Sequence, residues 1–212
     1  MEKLKIVYED KHIVVIDKPA GLLTIATEKE ALNTLYHKVR EYLKKKNQRI
    51  YIVHRLDKET SGLVLFAKSE KAKTLLQTNW DKVRRNYYAL VYGNKISDEG
   101  TIKVKLNESK TLHTYVDNHN GKLAITNYKK ITSKGKYTLL DINILTGRKN
   151  QIRASLEHIG YPIIGDKKYG KAPNPLRRLC LHAYLLEFIH PITHEHLKLE
   201  IDLPSSFNNL IK

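Results

Sequence analysis

An α+β fold with a large, mainly antiparallel or mixed sheet is predicted by three observations. Short runs rich in β-branched and aromatic residues recur along all 212 residues, too brief for helices. Only three stretches carry apolar residues at helical spacing with the stop signals of a helix. Between Gly100 and Ile144 the runs alternate apolar and polar positions, as strands of an antiparallel sheet with one wet face do.

In chain order, Ile6-Val7-Tyr8 and Ile13-Val14-Val15-Ile16 read as strands around a turn at Glu9 to His12, and Lys18-Pro19-Ala20-Gly21 as a second turn. Leu32, Leu35, Tyr36, Val39, Tyr42 and Leu43 then mark a helix. Lys44-Lys45-Lys46 at its end suits the dipole, as a solvated helix end or as an RNA contact. Ile50 to Val53 and Leu63 to Ala67 read as buried strands, followed by a second helix through Ala72, Leu75, Leu76, Trp80 and Val83. Tyr87 to Gly93 begins a series of strands that continues over Thr101 to Leu106, His113 to Val116, Ala124 to Ile131 and Tyr137 to Ile144. A third helix spans Asn150 to Ile159, stopped by Gly160 and Pro162. Pro173 to Arg178 is a loop, Leu185 to Ile189 pairs with Leu197 to Ile201, and Pro204 begins a short tail. No repeat or linker divides the chain, so residues 1–212 read as one domain, with room for two lobes.

Composition narrows the partner. Lys and Arg number 38 against 22 acidic residues, a net charge of +16, which points to a polyanion, most simply a nucleic acid. No apolar run reaches the length of a membrane span, and no long basic amphipathic helix favours a lipid surface. The opening Met1-Glu2-Lys3-Leu4-Lys5 lacks the apolar core of a signal peptide, and Cys180 is the single cysteine, so a cytoplasmic protein is expected.

The densest chemistry lies in His54-Arg55-Leu56-Asp57-Lys58-Glu59-Thr60-Ser61-Gly62, between the two buried strands. A plain turn needs only turn formers, whereas charges held at a strand end suit a catalytic or binding loop. Arg148 and Arg153 flank the start of the third helix. Arg153 lies beside apolar Ile152, so its guanidinium either finds an anion, with Asp57 the obvious carboxylate, or reaches out to water. His190, His194 and His196 cross a hairpin without the cysteine ligands that structural zinc usually takes, and no metal is expected. His54 beside Asp57 allows acid–base work, but no serine or cysteine nearby completes a nucleophilic triad.

The stretch His54 to Leu63 closely resembles the signature of the RluA-type pseudouridine synthases. Further motifs follow in the family's order: Tyr8-Glu9-Asp10 with Lys18-Pro19-Ala20-Gly21, Tyr87-x-Ala89-x-Val91-x-Gly93, and Gly147-Arg148 through Gln151-Ile152-Arg153. His158-Ile159-Gly160, Pro162 to Asp166, Tyr169-Gly170, Leu181-His182-Ala183-Tyr184 and His190-Pro191 complete them. Lys149-Asn150 and Ala154-Ser155 depart from the family's usual Thr-His and Val-His.

The resemblance implies the family's fold with a central active-site cleft, and a catalytic domain without the amino-terminal RNA-binding appendage of many relatives. It implies isomerisation of uridine to pseudouridine in ribosomal or transfer RNA, without cofactor or metal. No obligate protein partner is evident in the sequence, and a monomer is expected. Asp57 would be the essential carboxylate, either attacking the anomeric carbon or taking a proton from the sugar. Arg153 would pair with Asp57 and hold it ionised, and Tyr87 would stack on the uracil or accept the carbon 5 proton. Arg55, with His54 and Arg148, would bind the substrate, Arg55 filling the space that the flipped base leaves. Two other readings remain: a catalytically silent RNA-binding module, and a glycosidase or nuclease using Asp57 with Glu59 or His54.

Overall fold

The computed structural model describes residues 4–26 and 32–211. Of the opening segment read for a leader, Met1 to Lys3 lie outside the described residues. The chain forms two compact units, the first Met1–Val83 with Ala183–Ile201, the second Arg84–His182 with Asp202–Lys212.

In the first unit β1 (Ile6–Glu9) pairs antiparallel with β2 (Ile13–Lys18), and β2 with β4 (Ser61–Ala67), whose other neighbours include the short β3 (Tyr51–Ile52). All seven residues of β4 are buried, which explains its unbroken apolar run. Beside β4 lies β10 (Leu181–Ile189), which pairs antiparallel with β11 (His196–Glu200). Helix α1 (Leu35–Lys44) is capped by Thr34, whose hydroxyl accepts from the His37 amide, and it buries Leu35, Val39 and Leu43. Helix α2 (Glu70–Thr78), capped by Ser69, adds Ala72 and Leu76 to a core containing Ile13, Val15, Leu63, Leu65 and Leu186.

Two details differ from the sequence reading here. Leu32 lies before α1 and is 71% exposed. The second helix ends at Thr78, where the Asn79 side chain donates to the Leu75 carbonyl, and Trp80–Lys82 forms a separate 3-10 turn. The Lys44-Lys45-Lys46 end is exposed, but Lys46 is held by Glu9 at 3.0 Å. Burial would raise the Glu9 carboxyl, yet Lys68, Lys46 and Tyr42 outweigh it and hold it at about 2.

Gly62 shows how closely β4 and β10 approach. Its φ is +113, and a Cβ there would lie 2.1 Å from the Ala183 carbonyl oxygen. Gly62→Ala should therefore cost about 3 kcal/mol in urea unfolding. Gly21→Ala, at φ +83 with nothing within 4 Å, should cost only about 1–2 kcal/mol. Equal losses at both positions would refute the close-approach explanation.

In the second unit the strands run in the order β5 (Arg84–Tyr92), β9 (Tyr137–Ile144), β8 (Lys122–Lys134), β6 (Glu99–Glu108) and β7 (Thr114–Val116), every pairing antiparallel. On β6, buried Ile102, Val104 and Leu106 alternate with exposed Thr101, Lys103 and Lys105, the wet-face pattern that the sequence predicts. Helix α3 (Gln151–His158) packs on β6, β7 and β8, and its buried Gln151 donates to the Ile125 carbonyl and Thr126 Oγ1, both at 3.0 Å. Residues 205–211, read from sequence as a tail, instead form α4 (Ser205–Ile211) against β8 and β9. Pro204 starts the turn by accepting from the Phe207 amide, and Phe207 is fully buried.

Candidate active site

The loop carrying Asp57 is fixed on both sides of that residue by the turn after β2. Thr24 Oγ1 donates to the Leu56 carbonyl at 2.8 Å and accepts from the Leu56 amide at 3.2 Å. The Lys58 carbonyl accepts from the Gly21 amide at 2.9 Å and from Lys18 Nζ at 3.0 Å. The Asp57 carbonyl takes the Thr60 amide at 3.2 Å, closing a turn, and Asp57 is half-buried. Leu56 and Leu63 are buried, as packing residues should be.

Lys18 was read in sequence as part of a turn and of the opening motif, yet its side chain is fully buried. Its ammonium donates to three carbonyls, those of Leu22 at 2.8 Å and of Pro19 and Lys58 at 3.0 Å. A buried charge must be met by such acceptors. The signal lay in a lone lysine ending the apolar run Ile13 to Ile16. Lys18→Met keeps the stem but removes this donor from all three carbonyls, the Lys58 carbonyl keeping the Gly21 amide, at about 1–3 kcal/mol. Because the Asp57 loop loosens, kcat should fall more than KM rises. Steady-state kinetics with an unchanged kcat would rule out that positioning role.

His54 is turned inward. Its Nε2 accepts from the Leu65 amide at 3.0 Å, and its ring stacks on Trp80 at 4.5 Å. Arg55 is exposed. The histidines of the β10–β11 hairpin also have partners: His190 Nε2 lies 3.0 Å from Asp10, its Nδ1 accepts from the Thr193 amide, and His196 lies 3.0 Å from Glu187.

In the second unit Tyr87 is buried on β5. It stands opposite Ile142, which stands opposite Tyr128, two positions from Thr126. Since Gln151 bonds Thr126, Tyr87 and α3 share one face of this sheet.

Arg153, on α3, is 9% exposed at its side chain and does not reach out to water. Its Nε and Nη2 donate to the two oxygens of Asp166, both at 2.8 Å, and Nη1 donates to Asn150 Oδ1 at 3.0 Å. The fork is made with Asp166, which is fully buried. Asp166 also accepts from the Lys168 and Tyr169 amides, and the Tyr169 ring lies 5.0 Å from the guanidinium. The Tyr169 hydroxyl in turn accepts from the Thr114 amide, and its ring stacks on His113. Asn150, one of the departures from the family pattern, takes a left-handed φ of 51° at the start of α3, a conformation asparagine tolerates.

Arg148 is exposed. Its Nε donates to the Leu123 carbonyl, and its amide to Gln151 Oε1, both at 3.0 Å. The one cysteine, Cys180, is buried, which pushes its thiol up to about 12 and removes it as a nucleophile.

The family profile described as RNA pseudouridylate synthase matches residues 12–158. The uncharacterized RNA pseudouridine synthase YhcT of Bacillus subtilis strain 168 is 32% identical over 99% of this chain and 72% of its own length. Ribosomal large subunit pseudouridine synthase C of Rickettsia bellii strain RML369-C is 36% identical over 97% of this chain and 70% of its own. In structure, human RNA pseudouridylate synthase domain containing 4 matches with a TM-score of 0.79 over 96% of this chain and 90% of that one, at 24% identity, a likeness of fold. The match over most of the sequence carries more weight than any single motif: the chain belongs to the RNA pseudouridylate synthase family, enzymes that isomerise uridine in RNA.

Proposed function

We infer that this enzyme converts uridine to pseudouridine in large-subunit ribosomal RNA, with Asp57 as the reactive carboxylate. The RNA class rests on the relatives named for it. The observation that supports Asp57 is its loop, pinned at residues 56 and 58 by Thr24, Gly21 and Lys18, with Asp57 half-buried between them. A fixed backbone is what a group needs when it must meet a sugar carbon in one geometry.

In the reaction the bond from uracil N1 to the anomeric carbon breaks and one from C5 to the same carbon forms. C5 loses a proton and N1 gains one, so no oxidant or reductant enters the balance. Asp57 attacks the anomeric carbon as it gains positive charge, or takes a proton from the sugar. Tyr87 stacks on the uracil or takes the C5 proton. Arg153, aimed by Asp166 and Asn150, supplies fixed positive charge. Arg55 and Arg148, both exposed, contact the RNA. The protein acts as a monomer in the cytoplasm.

The net charge of +16 supports phosphate-dominated affinity. RNA binding should weaken at least about 100-fold between about 50 and 200 mM salt. A dissociation constant flat over that range would remove the electrostatic account. The assignment of substrate is tested by mapping pseudouridine in large-subunit ribosomal RNA from cells with and without the protein. One or more positions should revert to uridine. An unchanged ribosomal map with a lost transfer RNA position would move the activity to that substrate.

A further inference from the structure

The sheet of the second unit has a face that the reading above does not use. Side chains opposite one another across a ladder share a face, and neighbours along a strand do not. Tyr87, Ile142, Tyr128 and Thr126 lie on the α3 side. On the other side Asn86, Asn143, Asn127 and Thr101 form one row across β5, β9, β8 and β6. Asp141, Lys129 and Glu99 form the next. These residues and Arg84 line a groove of about 520 Å³.

Three features set this groove apart from an ordinary wet face. Asparagine is depleted in strands, yet three stand abreast in mid-sheet. Their amides are ordered: Asn86 donates to Asp141 and accepts from Asn143 and Arg84, and Asn127 accepts from Thr101. The charge on the face is predominantly positive. Lys103, Lys105 and Lys129 are exposed on this side, and none is in an ion pair among the described residues. The groove's carboxylates are Glu99 and Asp141, and the Asn86 amide already bonds Asp141.

We propose that this face binds single-stranded RNA outside the target uridine, amides meeting base edges and lysines meeting phosphates. Amide side chains offer a donor and an acceptor side by side, the complement of a base edge. Exposed, unpaired lysines suit a backbone tracked by charge rather than by sequence.

The test uses a fluorescent single-stranded RNA of alternating A and C, about 12 nucleotides long, which contains no uridine to isomerise. Asn127→Ala/Asn143→Ala should weaken its binding about 3–10-fold and leave the salt slope unchanged. Lys103→Gln/Lys105→Gln/Lys129→Gln should weaken it at least about 10-fold and lower the slope by about 2. Lys44→Gln/Lys45→Gln, at the end of α1, is the control for general charge. Unchanged affinity in the Asn pair, or a loss per lysine no larger than in the control, would overturn the proposal. Full affinity in both variants of this face, with parental melting, would leave the face to a protein partner.

Discussion

Arg153→Ala should cost the fold about 3–5 kcal/mol, because it strands a carboxylate in the second unit. Asp166 is fully buried and gives both oxygens to the guanidinium. Two backbone amides remain to it, but no cation of that fork geometry. Arg153→Ala/Asp166→Asn removes the stranded charge and should recover most of the stability, while activity should stay lost. Urea unfolding of the two variants, with the isomerisation rate of each, checks this. Parental stability in Arg153→Ala would show that the pair contributes little, and restored activity in the double variant would show that Arg153 only holds the fold.

Asp57→Asn is expected to lower the isomerisation rate at least about 1,000-fold while leaving fold and RNA affinity nearly intact. The replacement keeps the side chain's size, and the bonds that fix the loop run through the backbone of residues 56, 57 and 58. Thermal melting should shift little, and the RNA dissociation constant should change by less than about 3-fold, since affinity comes from the basic surface. A variant that loses RNA binding in proportion to rate would place Asp57 among the binding groups instead.

The sequence carries the strands, three helices and the Asp57 loop because those features are periodic or locally dense in charge. It is silent on what depends on distant partners. Arg153 was recognisable as a guanidinium needing an anion, but Asp166 lies thirteen residues on, past the end of α3, and no local rule links them. Lys18 resembled a turn residue because burial of its ammonium depends on the Leu22 and Lys58 carbonyls converging on it. His54 looked like a functional group, and only the fold shows its ring against Trp80 and its nitrogen on the Leu65 amide. Helix α4 was missed because its seven residues are short and polar apart from Phe207, Leu210 and Ile211, and its stability comes from packing.

The central claim, that Asp57 drives an isomerisation and not a hydrolysis, is tested most directly with RNA tritiated at carbon 5 of uracil. The parent protein should release tritium to water with no free uracil and no shortened RNA, and Asp57→Asn should release none. Tritium release by Asp57→Asn at the parental rate would contradict the account. Free uracil from the parent would instead mark a glycosidase, and shortened RNA a nuclease.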